Sequence, residues 1–138
     1  MIQRDLDEKY AEKGIFQWDK DYPNKETFKT DLDKGTLFTI EDEHEILGCI
    51  CISLNIDEFY KSVKWITETN KNVYVHRLAI HPQYQGRGLA LKLMNYANEF
   101  AIQNNCESIR LDTFSGNPRN NKFYILIVLC TFLYLTVY

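Results

Sequence analysis

A chain of 138 residues, 25% charged and 45% hydrophobic, is one domain by length (residues 1–138) with mass enough for one core. Its formal net charge of −3 argues against a nucleic-acid partner, whose phosphates require a basic surface. Cys49, Cys51, Cys106 and Cys130 form no CxxC, and no His stands at zinc-finger spacing, so they read as small buried hydrophobes and no metal is expected.

Met1 to Lys13 is charged and has no apolar core, so a signal peptide is not expected and the cytoplasm is the default compartment. Leu6 to Lys13 reads as the end of a polar helix stopped by Gly14, and Gln17-Trp18-Asp19 with Tyr22-Pro23 as an aromatic-bearing loop. Asn24 caps a predicted helix from Lys25 to Lys34, with Phe28 and Leu32 on one face and Gly35 as its stop. Thr36 to Glu41 and the nearly all-apolar Ile46 to Leu54 form a hairpin across the polar turn Asp42 to Glu45. Asn55 to Asn72 holds Phe59, Tyr60 and Trp65 among charges. It is either a surface helix with a core-facing aromatic stripe or a wall or lid facing a substrate.

Val73 to Ile80 is the next predicted strand. Leu89, Leu93, Ala97 and Phe100 mark one face of a helix that ends near Asn104-Asn105. Ser108 to Phe114 alternates as a strand, and Asn117-Pro118 opens a short helix with Asn as cap and Pro at its first position. Phe123 to Tyr138 has no charge, glycine or proline over sixteen residues. A membrane span needs roughly 20 such residues, and this run is rich in Ile, Val, Thr, Tyr and Phe, so one or two buried strands are expected instead. The order implies an α+β fold: a meander, then one crossover through the Leu89 helix.

Between the Val73 strand and the Leu89 helix lies Gln85-Gly86-Arg87-Gly88-Leu89-Ala90. Strand, glycine-rich turn and helix start together offer bare backbone N–H groups and a helix N-terminus to a phosphate. A dinucleotide fingerprint would need a third glycine, with an acidic residue roughly twenty positions on, and a Walker loop would need G-K-[ST]; neither is present. What stands here is Q-x-x-G-x-A, just after Arg77-Leu78-Ala79-Ile80-His81-Pro82.

At these residues the chain resembles the GNAT acetyltransferase superfamily, whose signature is an R/Q-x-x-G-x-G/A loop after a strand reading roughly LAV-x-P. Gln17-Trp18, Tyr22-Pro23, the helix around Asp31 and Gly35-Thr36-Leu37-Phe38 are similar to the front half of bacterial members. Asn117 followed by Phe123-Tyr124 is similar to that fold's last helix, so the resemblance covers about residues 6 to 124. It implies an α/β-sandwich-like domain: a mixed, mostly antiparallel central sheet with helices on both faces.

The resemblance further implies acetyl-CoA as cosubstrate and a primary amine, of a small molecule or a peptide, as acceptor. Gln85, Gly86, Arg87, Gly88, Leu89 and Ala90 would hold the pyrophosphate, with Arg87 either pairing with a phosphate or simply solvated. Backbone groups of Leu78, Ala79 and Ile80 would pair with the pantetheine arm, and Asn117 maps to a residue that contacts the same arm. Tyr124 maps to the general acid that protonates the departing thiolate; otherwise it is an aromatic core residue. His76, beside Arg77, is either a base acting through water or a structurally satisfied histidine. His81 reads as a turn residue and His44 as solvated. Trp18, Tyr22, Tyr60 and Trp65 are candidates to line the acceptor pocket.

Two features depart from that pattern. Members begin with a strand before the first helix, whereas Met1 here stands almost inside that helix. The family's polar E-K-x-G-F/Y turn after Phe-Tyr is replaced by the apolar tail Ile125 to Tyr138, read as strand. A catalytically impaired CoA-binding or oligomeric interaction module is the alternative function. Strand exchange in a homodimer would cover the apolar surface such a tail exposes.

Overall fold

The computed structural model describes residues 23–65, 68–111, 113, 116–128 and 134–137. The expected Leu6–Lys13 helix and the Gln17–Tyr22 loop lie outside them. Helix α1 (Lys25–Asp33) starts where the Asn24 side chain accepts the Thr27 N–H at 2.9 Å and stops before Gly35, whose φ of +66° ends the helical path. Strands β1 (Leu37–Glu41) and β2 (Ile46–Ser53) form an antiparallel hairpin. Its turn is fixed by Asp42 Oδ1, which accepts N–H bonds from His44 and Glu45. Strand β3 (Asn72–Ile80) pairs antiparallel with β2. Helix α2 (Leu89–Gln103) then carries the chain to β4 (Ser108–Leu111), parallel to β3. Helix α3 (Pro118–Val128) leads to β5 (Tyr134–Val137), parallel to β4.

The spatial order is β1-β2-β3-β4-β5, a mixed sheet. Its antiparallel character is confined to the β1–β2–β3 meander; the later pairings among the described residues are parallel, because each returns through a helix. Ile50, Ile52, Val73, Val75, Ile109 and Leu111 face α2, which presents Leu93, Met94, Ala97 and Ala101, and Tyr124 and Ile127 of α3 join this core. Fully burying a side chain such as Ile50 contributes roughly 1.5–3 kcal/mol. The other face is thinner: Cys49 and Ala79 pack with Phe28 of α1 and Leu37. Helices therefore cover both faces.

One irregularity shapes everything downstream. Cys51 pairs with His76 and Cys49 with Ala79, so two steps of β2 oppose three of β3. The extra residue is a β-bulge, and it inverts the alternation of side chains along β3. Val75 and Ile80, five positions apart, both reach the α2 core as a result. Arg77 sits in the bulge with φ of +50°, a left-handed conformation that costs a residue bearing a Cβ about 1–2 kcal/mol. It is held by Asp31 of α1: Arg77 Nε and Nη2 each donate to a carboxylate oxygen at 2.6 Å, and the two side chains are only 9% and 8% exposed.

Several sequence expectations are corrected here. On α1, Leu32 is 65% exposed although it shares a face with Phe28, and the buried residue is Asp31, which pairs with Arg77. Within Asn55–Asn72 the described residues form no α-helix, only a short 3-10 turn at Glu58–Tyr60. Ile109 and Leu111 of β4 share the α2 core, and Ser108 and Arg110 on its other face are also buried because Thr69 and Trp65 cover them. The apolar tail is not strand from its start: Ile125 to Val128 continue α3, whose Asn117 cap and Pro118 launch a helix that buries Tyr124 and Ile127 three positions apart. Only Tyr134–Val137 are strand, and residues 129–133 and 138 lie outside the described set. Among the described residues no helix is long and apolar enough to cross a membrane.

Asp31→Asn leaves the Arg77 charge buried without its counter-charge. It should lower the unfolding free energy by about 3–5 kcal/mol, read as a fall in the urea midpoint at unchanged slope; a loss below about 1 kcal/mol would show that the bulge holds without the pair. The cysteines supply a pH prediction. Burial pushes the Cys49 thiol from its ordinary 9.0 up to about 11, and desolvation also raises Cys51. The folded state thus holds these protons more tightly than the unfolded chain. The corresponding stability is complete below pH 9 and is lost as pH rises toward about 11. Unfolding midpoints should fall across that window, and less steeply in Cys49→Ala.

Candidate functional site

Among the described residues the pairing of β3 with β4 ends at Val75–Leu111, before the bulge, and past the bulge Ala79 and Ile80 pair with β2. The strand runs into His81, whose ring accepts the Gln83 N–H and caps a 3-10 turn at Pro82–Tyr84. The turn residue His81 expected from sequence therefore stands. Gly86 and Gly88 follow with φ of +80° and +76°, and nothing lies within 4 Å of where a Cβ would project from either. Gly88 is the N-cap of α2, and a glycine has no side chain to occupy the helix's first N–H groups. The first turn of α2 also carries no acidic residue. The positive end of a fifteen-residue helix is thus left open to an anion.

These pieces form one wall of a cleft of about 260 Å³. Leu78, Ala79 and Ile80 contribute from β3; Gln85, Gly86 and Gly88 from the turn; Leu89 and Ala90 from the start of α2. Tyr124 of α3 lies on the opposite wall, 8% exposed. The structure therefore brings nine of the expected residues to one space: Leu78, Ala79, Ile80, Gln85, Gly86, Gly88, Leu89, Ala90 and Tyr124.

Three expected residues are placed elsewhere. Arg87 is exposed, with its guanidinium 5.0 Å from the centre of the Tyr84 ring, and it does not line the cleft. Asn117 is 1% exposed; its side chain accepts the Asn120 N–H at 3.2 Å and so caps α3. His76 lies on the α1 face of the sheet, its ring stacked on Tyr60 at 5.1 Å and its Nδ1 3.3 Å from the Tyr60 hydroxyl. Tyr60 also meets Trp65 edge-on, and Trp65 lies beneath the Arg110 guanidinium at 4.8 Å. Tyr60 and Trp65 are thus packed into one aromatic cluster; Trp18 and Tyr22 lie outside the described residues.

The cleft also contains residues that the sequence reading passed over: Tyr84, Leu91, Arg119, Asn120 and Phe123. Arg119, Asn120, Phe123 and Tyr124 sit at one-turn spacing on α3, so the helical period read from Asn117-Pro118 was the signal available for them. Two side-chain bonds tie the walls together. Gln85 Nε2 donates to the Ile80 carbonyl at 3.1 Å, and Arg119 Nη1 donates to Gln85 Oε1 at 2.9 Å. Tyr84 donates its hydroxyl proton to Glu45 in the β1–β2 turn, which raises the phenol's pKa above its usual value. Among the described residues no group of three His, Cys, Asp or Glu side chains could hold a metal ion.

The cleft thus lies between a mixed sheet whose third strand bulges at Arg77 and a helix start that has no side-chain cap. The sequence profile of the acetyltransferase (GNAT) family matches residues 3–126, and this chain belongs to that family. A thialysine N-epsilon-acetyltransferase of Mus musculus is 31% identical over 58 residues, 42% of this chain and 34% of the mouse protein. An N-acetyltransferase of Archaeoglobus fulgidus, itself uncharacterised, is 29% identical over 94 residues, 67% of this chain and 58% of that protein. The chain thus spans between a third and three fifths of the length of these relatives. Among solved structures, a GNAT-family acetyltransferase from Streptococcus agalactiae superposes with a TM-score of 0.72 at 24% identity, covering 93% of this chain and 73% of that one. A second, from Listeria monocytogenes, gives 0.71 at 19% identity, covering 91% and 74%.

Two glycine substitutions distinguish the demands on the backbone. Gly88→Ala meets open space, so its cost is the left-handed conformation alone, about 1–2 kcal/mol. In Gly48→Ala the new methyl would stand 2.5 Å from Ile80 Cδ1 and 2.7 Å from the Ala79 carbonyl oxygen, displacing the end of β3. Chemical denaturation should rank Gly48→Ala as the more damaging change; the reverse order would mean that β3 yields easily at the cleft.

Proposed function

We propose that this chain transfers the acetyl group of acetyl-CoA directly to a primary amine of a small molecule or peptide. The observation that carries the reading is the single cleft that joins the Gly86–Gly88 turn and the open start of α2 to Tyr124. The residues fit the donor. The two left-handed glycines let phosphate oxygens approach the backbone with no Cβ in the way, and the α2 N-terminus favours their charge. Leu78 to Ile80, with no strand on the β4 side among the described residues, offer backbone groups to the amide-bearing pantetheine arm. Asn117 supports that arm indirectly, by fixing the start of α3.

The transfer needs few groups. A neutral amine nitrogen attacks the thioester carbonyl carbon; the C–N bond forms, the C–S bond breaks, and the nitrogen loses a proton to solvent. The thiolate leaves with a proton donated by Tyr124, which then recovers one from water. A thiol pKa of roughly 8.5 makes that donation useful but not indispensable. Alignment of the two reactants supplies much of the remaining rate, and backbone N–H groups at the β3 opening stabilise the oxyanion. The mouse relative's name specifies an ε-amine as its acceptor, which supports an alkylamine here. His76 is engaged with Tyr60 on the α1 face and does not line the cleft, so no step of the transfer is assigned to it.

Thiol release from acetyl-CoA should appear with at least one member of a primary-amine panel, and a complete lack of turnover would refute the reading. Tyr124→Phe should lower kcat about 10²-fold while CoA affinity is retained; an unchanged kcat would remove Tyr124 as the acid.

A further inference from the structure

We propose that Arg119, not Arg87, is the side chain that pairs with the pyrophosphate of the donor, with Gln85 serving as its resting partner. The inference rests on the acetyl-CoA reading above and adds a specific cation to it. Arg119 stands in the first turn of α3 and lines the cleft together with Gly86 and Gly88. Arg87 is adjacent to both glycines in sequence, yet it lies over the Tyr84 ring, and Tyr84 is itself anchored by Glu45. A cation–π contact with Tyr84, beside a carboxylate, gives Arg87 a partner of its own, and Arg87 itself does not line the cleft.

The position of Arg119 is unusual for a helix. The first turn favours acids, and a cation there is disfavoured by a few tenths to 1 kcal/mol. The first turn of α3 has no acid and carries Arg119 instead. The first turn of α2, across the cleft, also has no acid and no side-chain cap. An anion between the two helix starts would satisfy the dipoles and the guanidinium together.

The hydrogen bonds show how the exchange would occur. Arg119 Nη1 donates to a neutral amide oxygen, Gln85 Oε1, at 2.9 Å. The same donor to a phosphate oxygen makes a charge-assisted bond roughly twice as strong. Gln85 is meanwhile held from its other end by the Ile80 carbonyl at 3.1 Å, so Arg119 can leave it without releasing the strand.

Calorimetric titration of the full chain with CoA, dephospho-CoA and pantetheine tests this. Arg119→Gln should weaken CoA and dephospho-CoA alike by about 10–100-fold and leave pantetheine, which lacks phosphate, unchanged. Arg119→Lys should recover part of the loss, and Arg87→Gln should change affinity less than about threefold. Gln85→Ala removes the same resting bond and should weaken CoA less than Arg119→Gln does. The proposal is overturned if Arg119→Gln binds CoA like the wild type. Equal losses for pantetheine, or in Gln85→Ala, would reveal a structural role only and also overturn it. Dephospho-CoA spared by Arg119→Gln would assign the arginine to the 3′-phosphate instead, again overturning it. A wild-type chain that binds no CoA defeats the acetyl-CoA reading itself, and this proposal with it. Wild-type CoA binding unaffected by Arg119→Gln leaves that reading standing alone.

Discussion

The paired contact between Arg77 and Asp31 is the constraint on which the rest of the structure depends. A bulge in β3 puts one residue too many between Cys49 and Cys51 of the neighbouring strand, and Arg77 absorbs it by adopting a positive φ. That conformation persists only where the surroundings over-determine it. Here the over-determination is electrostatic: two parallel N–H···O contacts at 2.6 Å between side chains almost fully removed from water. The same pair joins helix α1 to the sheet, so the thin core of Phe28, Leu37, Cys49 and Ala79 forms around it. Buried charge is costly, and it stays compatible with folding because both ends of the fork are matched.

The consequences of the bulge reach the cleft. Inverting the alternation of β3 returns Ile80 to the α2 core, while Ala79 and Ile80 pair with β2. The helix start at Gly88 and the first turn of α3 both border the cleft, with Gln85 spanning from the Ile80 carbonyl to Arg119. Two positive helix ends facing each other without acidic residues make a site for an anion, and the apolar Phe123 and Tyr124 beyond them suit the uncharged part of a long ligand. On the opposite face of the sheet, His76, Tyr60 and Trp65 with Arg110 form a separate aromatic layer.

Much of this was legible in the chain. The hairpin, the strand ending at Ile80, the glycine turn and the α2 helix follow from local signals: alternation, turn residues, caps and helical period. Nine of the twelve residues proposed for the site from sequence line one cleft. The three that do not, Arg87, Asn117 and His76, each found a nearer partner: an aromatic ring, a helix N-terminus and a tyrosine. Nothing local marks Asp31 as half of a buried ion pair, because its partner lies 46 residues away and no periodicity links the two. The tail was misread as strand from its start because a β-rich composition outweighed the cap at Asn117, although the cap sets the first turns of α3.

By itself, the sequence determined the local geometry at the centre of the site. Gly86 and Gly88 permit left-handed backbone at no steric cost, Pro82 ends the strand, and the period after Gly88 commits the chain to a helix whose first N–H groups have no side-chain cap. Those properties belong to a few consecutive residues and survive in any packing. Only the tertiary structure decided which charges border the cleft and which hold the fold. Arg77 is buried against α1, Arg87 is turned onto Tyr84, and Arg119 is brought in from a helix more than thirty positions later in the chain. An arginine's role depends on which acceptor reaches it first in three dimensions, and the three arginines look alike until the sheet, its bulge and the last helix are assembled.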